Sequence, residues 1–275
     1  MSSNGPSTQG AQTVVGLIPA RAGSVRVRDK NVRPLAGHPV LAYTIASALG
    51  SGVFDDVIVS TDSDLYADIA RHYGASVPFM RPTEYAGARS PDVEWIEHTL
   101  ARLRDEGRAY DCFSILRPTS PFRKAETIRR AWDLFTSQQG VDSLRAVEKC
   151  KQHPAKMWVV RGARMFPLLP IGPAEQPWHS SQYPTLPEVY VQNASLEIAY
   201  SRVVFEERTI AGNSYVPFIT EGDEGYDVND VADWIYAEYL LAQGEATLPA
   251  IEQAPYPLPD DAVGATPTSA ETPRG

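Results

Sequence analysis

The sequence predicts an α/β fold: a doubly wound, mostly parallel sheet with helices on both faces and one inserted arm. Short apolar runs typical of buried strands alternate along the chain with segments whose apolar residues recur at helical spacing. Polar loops follow three of these runs, as expected where the strands of a parallel sheet end at a ligand site. One stretch rich in proline and aromatic residues interrupts the alternation and predicts the arm.

Six apolar runs predict the strands of the sheet. They lie at 13–19, 56–60, 75–79, 111–117, 142–147 and 195–200. Helical spacing predicts four helices in the gaps, around 41–49, 65–70, 96–103 and 128–135. A last helix, over 231–242, is expected to pack through Trp234, Tyr236, Ala237 and Leu240. This alternation favours a parallel sheet that is covered on both faces.

The chain is expected to form one domain, over residues 12–245, with a tail at each end. Residues 1–11 are rich in Ser, Gly and Gln, and most of 246–275 is rich in Pro and in small or acidic residues. Both tails are therefore predicted to be disordered. Residues 150–188 form the predicted arm, and the apolar run at 195–200 then returns the chain to the sheet. The arm is thus interpreted as an insertion within the domain.

The composition describes an ordinary globular chain with an acidic balance. The chain has 275 residues, 43% of them hydrophobic, and a formal net charge of −9. Nucleic acids and anionic membranes both attract basic proteins, so neither is expected as a partner. Two cysteines are too few for a disulfide framework or a thiolate metal site, which favours a reducing cytoplasm. No secretory leader or membrane-spanning run is visible, so a cytoplasmic location without a membrane partner is expected.

Positive charge is concentrated in the loop that follows the first predicted strand. The stretch LIPARAGSVRVRDKNVRPLAG, residues 17–37, carries Arg21, Gly23, Ser24 and Lys30. Glycine permits close backbone approach, serine donates a hydrogen bond, and arginine and lysine neutralise phosphate charge. The spacing fits neither a Walker loop nor a dinucleotide fingerprint. Because the cations follow a buried strand directly, we favour a different phosphate cradle over a solvated basic turn.

Two further polar loops follow predicted strands. Residues 60–62 (STD) come after the second strand, and residues 117–123 (RPTSPFR) come after the fourth. The carboxyl ends of parallel strands meet at one edge of a sheet, so the three loops are expected to converge there. The sequence therefore predicts an anion-binding site at this edge.

Four segments occur in one order along the chain: LIPARAGSVRVRDKN, VIVSTDSDLYADIARHYGASVPFMRPTEYA, LRPTSPFRKAETI and YDVNDVADWIYAE. In these segments the sequence resembles the acylneuraminate cytidylyltransferases, or CMP-sialic acid synthetases, over roughly residues 13–242. The resemblance implies a Rossmann-like nucleotidyltransferase fold. It also implies transfer of CMP from CTP to the hydroxyl of an acidic 2-keto sugar, with release of pyrophosphate. A divalent metal and a homodimer whose arms reach into the partner subunit are further implied.

The resemblance also implies roles for individual residues. Arg21, Lys30 and Asp227 are the expected catalytic residues, and Asp227 is also the first expected metal ligand. The expected nucleotide-binding residues are Ser24, Asn31, Arg81, Ser90, Asp92 and Thr119. Arg117, Asn193 and Glu197 are expected on the acceptor side. Asn229 is the second expected metal contact. The alternative role in this segment is an N-cap of the last helix, which suits Asn229 or Asp230 better than Asp227.

The expected metal is magnesium, because it takes oxygen ligands and usually binds one or two carboxylates together with substrate phosphates. Charge grows on the leaving oxygens during CMP transfer, and metal and cations must absorb it. Asn229 stands where the family has a second aspartate, so Asp230 or Asp62 must compensate if a second carboxylate is needed. Val25 stands where the family has lysine, and our hypothesis is that Arg26 or Arg28 supplies that charge.

The acceptor side departs most from the family pattern. Arg117 replaces a glutamine, Glu197 replaces a tyrosine, and Tyr183 and Val191 lie where sialate-binding arginines fall. These exchanges move the anion-binding point rather than abolish it, because Arg117 can still clamp a carboxylate or phosphonate. We therefore expect CMP transfer to an acidic nonulosonic or related ulosonic acid other than ordinary sialic acid. The alternatives are transfer to a phosphonate or sugar phosphate, and a non-catalytic nucleotide-binding relative.

Overall fold

The computed structural model describes residues 12–23, 29–87 and 89–258. The chain divides into two compact units. We call the first the sheet unit; it comprises residues 1–146 and 193–275. The second, residues 147–192, we call the arm unit. Within the described residues, no helix combines the length and the apolar character needed to cross a bilayer.

The elements alternate in the order that the sequence analysis expects for most of the chain. The strands are β1 (Val14–Pro19), β2 (Pro34–Leu35), β3 (His38–Pro39), β4 (Asp56–Ser60), β5 (Cys112–Ile115), β6 (Ser143–Lys149), β7 (Trp158–Arg161), β8 (Arg164–Pro167), β9 (Tyr190–Tyr200) and β10 (Tyr215–Ile219). The helices are α1 (Val40–Ser51), α2 (Asp64–His72), α3 (Asp92–Asp105), α4 (Ala125–Ser137), α5 (Ser201–Glu207) and α6 (Val231–Gln243).

Six strands form one mixed sheet in the order β10-β6-β9-β5-β1-β4. The central strand β1 runs parallel to β4 and to β5, whereas β9 runs antiparallel to β5. The register pairs Pro19 with Ser60 and Leu17 with Ile115, so β1, β4 and β5 end at the same edge of the sheet. The loops that follow these three strands therefore meet at that edge.

Helices cover both faces of the sheet, which confirms the doubly wound architecture. Side chains of β1 alternate between the faces: Val14 and Ile18 join the cluster formed with α1, α2 and α4. Val15 and Leu17 join the cluster formed with α3 and α5 on the other face. This period-two alternation buries residues 14–18 of β1, because each face of an interior strand needs its own apolar cover.

One predicted strand is wrong. Residues 75–79 form no strand; only Ser76 makes an isolated parallel bridge, to Ile58, and the proline at 78 cannot donate to a ladder. Two short elements, α5 and β10, were not predicted. In the arm, predicted as an insertion rich in proline and aromatic residues, β7 and β8 form an antiparallel hairpin.

The last helix, α6, and the segment after it each differ from the prediction. Tyr236 was expected to pack but is half exposed, on the outer side of α6. Residues 246–258 were assigned to a disordered tail, yet they lie along the sheet unit. Ile251 packs on its apolar core, and the Tyr256 backbone N–H donates to the Tyr73 hydroxyl at 3.0 Å. Residues 1–11 and 259–275 lie outside the described residues.

Local signals explain where the helices begin and end. Asp230 caps α6: its carboxylate accepts from the Asp233 N–H at 3.0 Å, and the Asp233 carboxylate accepts from the Asp230 N–H in return. At the other end, Gly244 adopts φ of 70°, a left-handed conformation that glycine takes without a steric penalty. The cap fixes the start of α6 and, with it, the turn that carries Asp227 and Asn229.

Candidate active site

A cavity of about 310 Å³ opens at the edge where β1, β4 and β5 end. Its volume is at the lower end of the range typical of small-molecule sites. Many of the residues expected from sequence line it: Arg21, Lys30, Asn31, Arg81, Ser90, Asp92, Arg117, Thr119, Asp227 and Asn229. Residues far apart in the chain thus meet in one cavity, as the convergence of the loops predicts.

The loop after β1 is anchored at its base by the loop after β4. The Ala20 N–H donates to the Ser60 carbonyl at 2.9 Å, and the Ala22 N–H donates to the Asp62 carboxylate at 2.8 Å. Asn31 is buried, and its side chain donates to the Arg21 carbonyl at 3.3 Å. Asp62 therefore holds the start of the loop. Ser24, Val25, Arg26 and Arg28 lie outside the described residues.

Arg81 is a buried cation fixed in the cavity wall. Its Nε donates to the Ser60 hydroxyl and its Nη2 to the Ser60 carbonyl, both at 2.9 Å. The guanidinium also stacks on the Trp95 ring, 4.5 Å from its centroid. Burial lowers the pKa of Arg81 to about 10, although Asp62 and Asp92 oppose the shift. The side chain still carries its charge at neutral pH, in a fixed orientation.

The turn between α2 and α3 supplies another wall. The Ser90 hydroxyl donates to the Glu84 carbonyl at 3.1 Å, which closes the turn on itself. A Cβ at Gly87 would lie 3.0 Å from the Ser90 hydroxyl oxygen, so a larger residue there would push against the hydrogen bond. Tyr85 and Trp95 line the cavity beside this turn and add aromatic surface to it.

Arg117 projects from the loop after β5 and pairs with two carboxylates. Its Nη2 donates to Asp92 at 2.6 Å and to Glu197 at 3.2 Å. Burial alone would raise the pKa of Asp92, but the charge and hydrogen bond of Arg117, with a 2.8 Å hydrogen bond from the Trp95 indole N–H, lower it. Asp92 is thus held ionised in the cavity wall.

Glu197 and Asn193, both expected to bind the acceptor, lie away from the described cavity lining. Glu197 is only 4% exposed and forms ion pairs with Arg117 and with Arg145, a residue of β6. Asn193 donates to the Thr220 hydroxyl at 2.9 Å and accepts from the Ser195 N–H at 3.2 Å. In this structure both side chains therefore support neighbouring strands and loops.

The turn before α6 brings Asp227 and Asn229 to the cavity through backbone hydrogen bonds. The Val228 N–H donates to the Thr119 carbonyl at 2.8 Å, and the Val228 carbonyl accepts from Lys30 Nζ at 3.2 Å. The Asn229 amide donates to Asp227 Oδ2 at 2.5 Å. One short turn thus connects the loops that carry Lys30 and Thr119.

Asp227 offers an oxygen that suits a metal ion. Among the described residues, its Oδ1 is buried and accepts no hydrogen bond. An unsatisfied buried carboxylate oxygen is costly unless a cation or donor completes it. The described residues contain no group of three or more His, Cys, Asp or Glu arranged to hold a metal. With one such oxygen, Asp227 could serve a hard cation only if waters and substrate oxygens supplied the remaining ligands.

Arg123 is a fully buried cation that the sequence analysis did not single out. It donates to the Arg117 carbonyl at 3.3 Å, to the Thr44 hydroxyl at 2.9 Å and to the Ser195 carbonyl. Burial lowers its pKa to about 9, while the charge of Asp227 raises it. Arg123 therefore fixes the backbone from which Arg117 projects and adds positive charge behind Asp227. Its place at the end of the RPTSPFR stretch was the available signal.

The sequence-based comparisons agree with the geometry. The family model described as Cytidylyltransferase matches residues 15–153. A CMP-N,N′-diacetyllegionaminic acid synthase of Legionella pneumophila is 32% identical over 241 residues, which cover 86% of this chain and 99% of the relative. An N-acylneuraminate cytidylyltransferase of Escherichia coli is 43% identical over 122 residues. That match covers 44% of this chain and 28% of the relative, so this chain spans less than a third of its length.

The fold comparison points in the same direction. A solved structure titled CMP:2-keto-3-deoxy-manno-octonic acid synthetase complexed with CTP matches with a TM-score of 0.60. The match covers 84% of this chain and 99% of the other at 13% sequence identity. At this identity the match concerns the fold alone, and the Rossmann-like architecture agrees with the parallel strands and two-sided helical cover described above.

Proposed function

Because the chain belongs to the cytidylyltransferase family, we propose that it transfers CMP from CTP to an acidic nonulosonic or related ulosonic acid. The observation that carries the proposal is the cavity at the end of β1, β4 and β5. It gathers three cations, Arg21, Lys30 and Arg81, with the Asp227 carboxylate and the Arg117 guanidinium. This arrangement matches a triphosphate and an acidic second substrate in one site.

The nucleotide lies against the loop after β1 and the turn before α3. Arg21 and Lys30 neutralise phosphate oxygens, and Asn31 and Thr119 orient the loops around them. Arg81, Ser90 and Asp92 form the wall on the nucleotide side. Because Arg81 is fixed by two hydrogen bonds to Ser60, it offers its charge without reorganising when the nucleotide binds.

The reaction is an in-line substitution at the α-phosphorus of CTP. The acceptor hydroxyl oxygen forms the new bond to phosphorus, and the bond to the bridging oxygen of the β-phosphate breaks. Pyrophosphate leaves with that oxygen, and the hydroxyl proton is released to the medium. Negative charge grows on the leaving oxygens, where Lys30 and Arg21 stabilise it more strongly than in the ground state.

Asp227 and Asn229 would hold a magnesium ion at the edge of the triphosphate. When bound, the ion would supply charge neutralisation at the phosphate oxygens and orient them. The buried, unsatisfied Oδ1 of Asp227 supports this assignment. The hydrogen bond from Asn229 to the other carboxylate oxygen orients Asp227, so that Oδ1 is the atom offered to the ion.

Arg117 receives the acid group of the acceptor. Its guanidinium lines the cavity beside Asp92, and its side chain is 30% exposed, so it is both accessible and oriented. The planar guanidinium can bind a carboxylate through two parallel hydrogen bonds. The relatives named for N-acylneuraminate and N,N′-diacetyllegionaminic acid support an acceptor that combines a carboxylate with a hydroxyl at the reacting carbon.

The proposal includes a cytoplasmic homodimer formed through the arm unit. Within that unit Val160, Met165 and Phe166 on β7 and β8 expose half or more of their surface, as does Tyr183. Contiguous apolar exposure of this kind is typical of an interface. A cytoplasmic setting is supported by two free cysteines, one of them buried in the core, that form no disulfide.

Pyrophosphate release tests the proposal directly. The purified protein is incubated with CTP and magnesium against a panel of nonulosonic acids, ulosonic acids, phosphonates and sugar phosphates, with ATP, GTP and UTP as controls. The proposal expects turnover that requires CTP and an acidic keto sugar. Turnover restricted to phosphonates or sugar phosphates would contradict the acceptor class, and equal turnover with every nucleoside triphosphate would contradict the choice of CTP.

A further inference from the structure

Four charged side chains form a row that runs from the cavity wall into the sheet unit. Their charges alternate in the order Asp92, Arg117, Glu197 and Arg145. Arg117 contacts Asp92 at 2.6 Å and Glu197 at 3.2 Å, and Arg145 forms an ion pair with the other oxygen of Glu197. The first two line the cavity, whereas the Glu197 and Arg145 side chains are only 6% and 13% exposed.

Strand pairing brings the inner members of this row together. Glu197 lies on β9 opposite Ile115, next to the loop that carries Arg117. Arg145 lies on β6, which borders β9 on its other side, and its Nη2 donates to the Ile210 carbonyl at 3.0 Å. Arg145 is thus held on a rigid strand, and it is absent from the cavity lining. Its contact on the cavity side is Glu197, which in turn contacts Arg117.

A buried carboxylate needs compensation, and Glu197 has two guanidinium groups to provide it. Without Arg145, Arg117 alone would have to neutralise this charge. Arg117 would then be drawn toward Glu197, and its charge would be less available to an anion in the cavity. With Arg145 present, the row of two cations and two carboxylates is neutral before the acceptor arrives.

The hydrogen-bond pattern of Arg117 agrees with the idea that Arg117 and Arg145 share the charge of Glu197. Both of its ion pairs use Nη2. Among the described residues, its Nε and Nη1 groups donate to no partner, although a guanidinium has five N–H donors. The contacts with Asp92 and Glu197 therefore fix the plane of the guanidinium and leave N–H groups for an incoming carboxylate.

We propose that Arg145 is a positioning residue for acceptor recognition, because it shares the charge of Glu197 and so keeps Arg117 at the cavity wall, available to the acceptor carboxylate. The inference rests on the proposed function, in which Arg117 receives that carboxylate. It also changes the role of Glu197, which orients Arg117 instead of touching the acceptor.

A pair of variants tests the inference by steady-state kinetics. Arg145→Gln leaves Glu197 with Arg117 as its only cationic partner, and we expect the acceptor KM to rise about tenfold with kcat and the CTP KM nearly unchanged. The double variant Arg145→Gln with Glu197→Gln removes both buried charges, and we expect the acceptor KM to return to within about threefold of the wild-type value. Arg145→Lys keeps the charge and should resemble the wild type.

Arg130→Gln is the matched control. Like Arg145, Arg130 forms ion pairs with carboxylates, in its case Glu221 and Glu224. Its side chain is 31% exposed, and it is absent from the described cavity lining. Its loss should leave the acceptor KM unchanged. This control separates a specific effect on Arg117 from the general cost of losing an arginine that pairs with carboxylates.

Three results would overturn the inference. The first is an unchanged acceptor KM in the Arg145→Gln variant. The second is an equal rise in both KM values, which would indicate a structural role. The third is a double variant that folds but keeps a raised acceptor KM, because Glu197 would then contact the acceptor itself. Absence of wild-type turnover with every sugar acid is a different result: it would overturn the proposed function and, with it, this inference.

Discussion

Lys30 donates a hydrogen bond from its Nζ to the Val228 carbonyl at 3.2 Å. The contact joins the loop after β1 to the turn before α6, although 198 positions separate Lys30 from Val228 in the sequence. Since Asp227 precedes Val228, the same contact places Lys30, which we propose binds phosphate, beside the candidate metal ligand. One hydrogen bond therefore fixes the loop after β1 and also places the charge of Lys30 beside Asp227.

Replacing Lys30 with Met should impair catalysis far more than folding. The account expects kcat/KM to fall by roughly 100-fold, because a cation that stabilises the leaving oxygens is lost. The free energy of unfolding should fall by only about 1 kcal/mol, since a single hydrogen bond to Val228 disappears. Urea unfolding and initial-rate measurements give both numbers. Lys124→Met, at an exposed lysine outside the described cavity lining, is the control and should change neither.

Asp227→Asn should weaken the response to magnesium. The amide keeps the shape of the side chain but cannot offer a charged oxygen, so the magnesium concentration for half-maximal rate should rise at least about tenfold. A titration of magnesium at saturating CTP measures it. Asp223→Asn, in the same segment but outside the described lining, serves as the control. An unchanged magnesium titration for Asp227→Asn would remove this residue from the metal site.

Arg117→Gln should change acceptor use without changing nucleotide use. A charged hydrogen bond to a carboxylate contributes about 1.5–3 kcal/mol, so the acceptor KM should rise about tenfold or more. The CTP KM should stay within about twofold of the wild-type value, because the lost contact binds the acceptor and not the nucleotide. Initial-rate measurements in which each substrate is varied in turn give the acceptor KM and the CTP KM separately. The same acceptor profile in variant and wild type would show that Arg117 does not receive the acid group.

Asp230→Ala should reduce stability through the start of α6. The carboxylate accepts from the Asp233 N–H, and loss of an N-cap of this kind costs about 1 kcal/mol. Asp230→Asn should stay within a few tenths of a kcal/mol of the wild type, because asparagine caps as well as aspartate. Equilibrium unfolding in urea compares the three proteins. Equal stability of the alanine variant and the wild type would contradict the capping assignment.

Cys112 should be unreactive in the folded protein. Burial raises the pKa of its thiol to about 12, and Asp111 adds to the shift, so at pH 8 the group is neutral. In a Cys150→Ala variant, Cys112 is the single cysteine. A disulfide reagent such as DTNB should then release no thiolate until guanidinium is added, and one equivalent afterwards. Rapid reaction in buffer would contradict the buried position of Cys112 on β5.

Local patterns predicted the parts of the molecule that local forces determine. The apolar runs found β1 and β4 because both faces of these strands are buried, and Asp230 was among the residues expected to cap the last helix. The loops that follow the parallel strands were expected to converge, and the cavity lies where they meet. The position of a motif that follows a strand can therefore be predicted from sequence, since parallel strands end at the same edge of the sheet.

What the sequence did not predict depends on contacts between distant strands. Arg145 reads as an ordinary solvated charge on a half-buried segment, and Glu197 was expected to contact the acceptor. Only the placement of β6 next to β9 turns them into a buried ion pair behind Arg117. Arg123 likewise reads as a surface cation until the surrounding carbonyls enclose it. Burial of a charge is a tertiary property, so no spacing rule identifies it in advance.

The most direct test of the central claim is to follow the phosphorus atoms of CTP. The wild-type protein is incubated with CTP, magnesium and a 2-keto sugar acid such as N,N′-diacetyllegionaminic acid, and the mixture is observed by phosphorus NMR. The account predicts one new phosphodiester signal together with an equal amount of pyrophosphate. CTP that stays intact, or that breaks down to CMP or CDP without a phosphodiester signal across the panel of sugar acids, would contradict it.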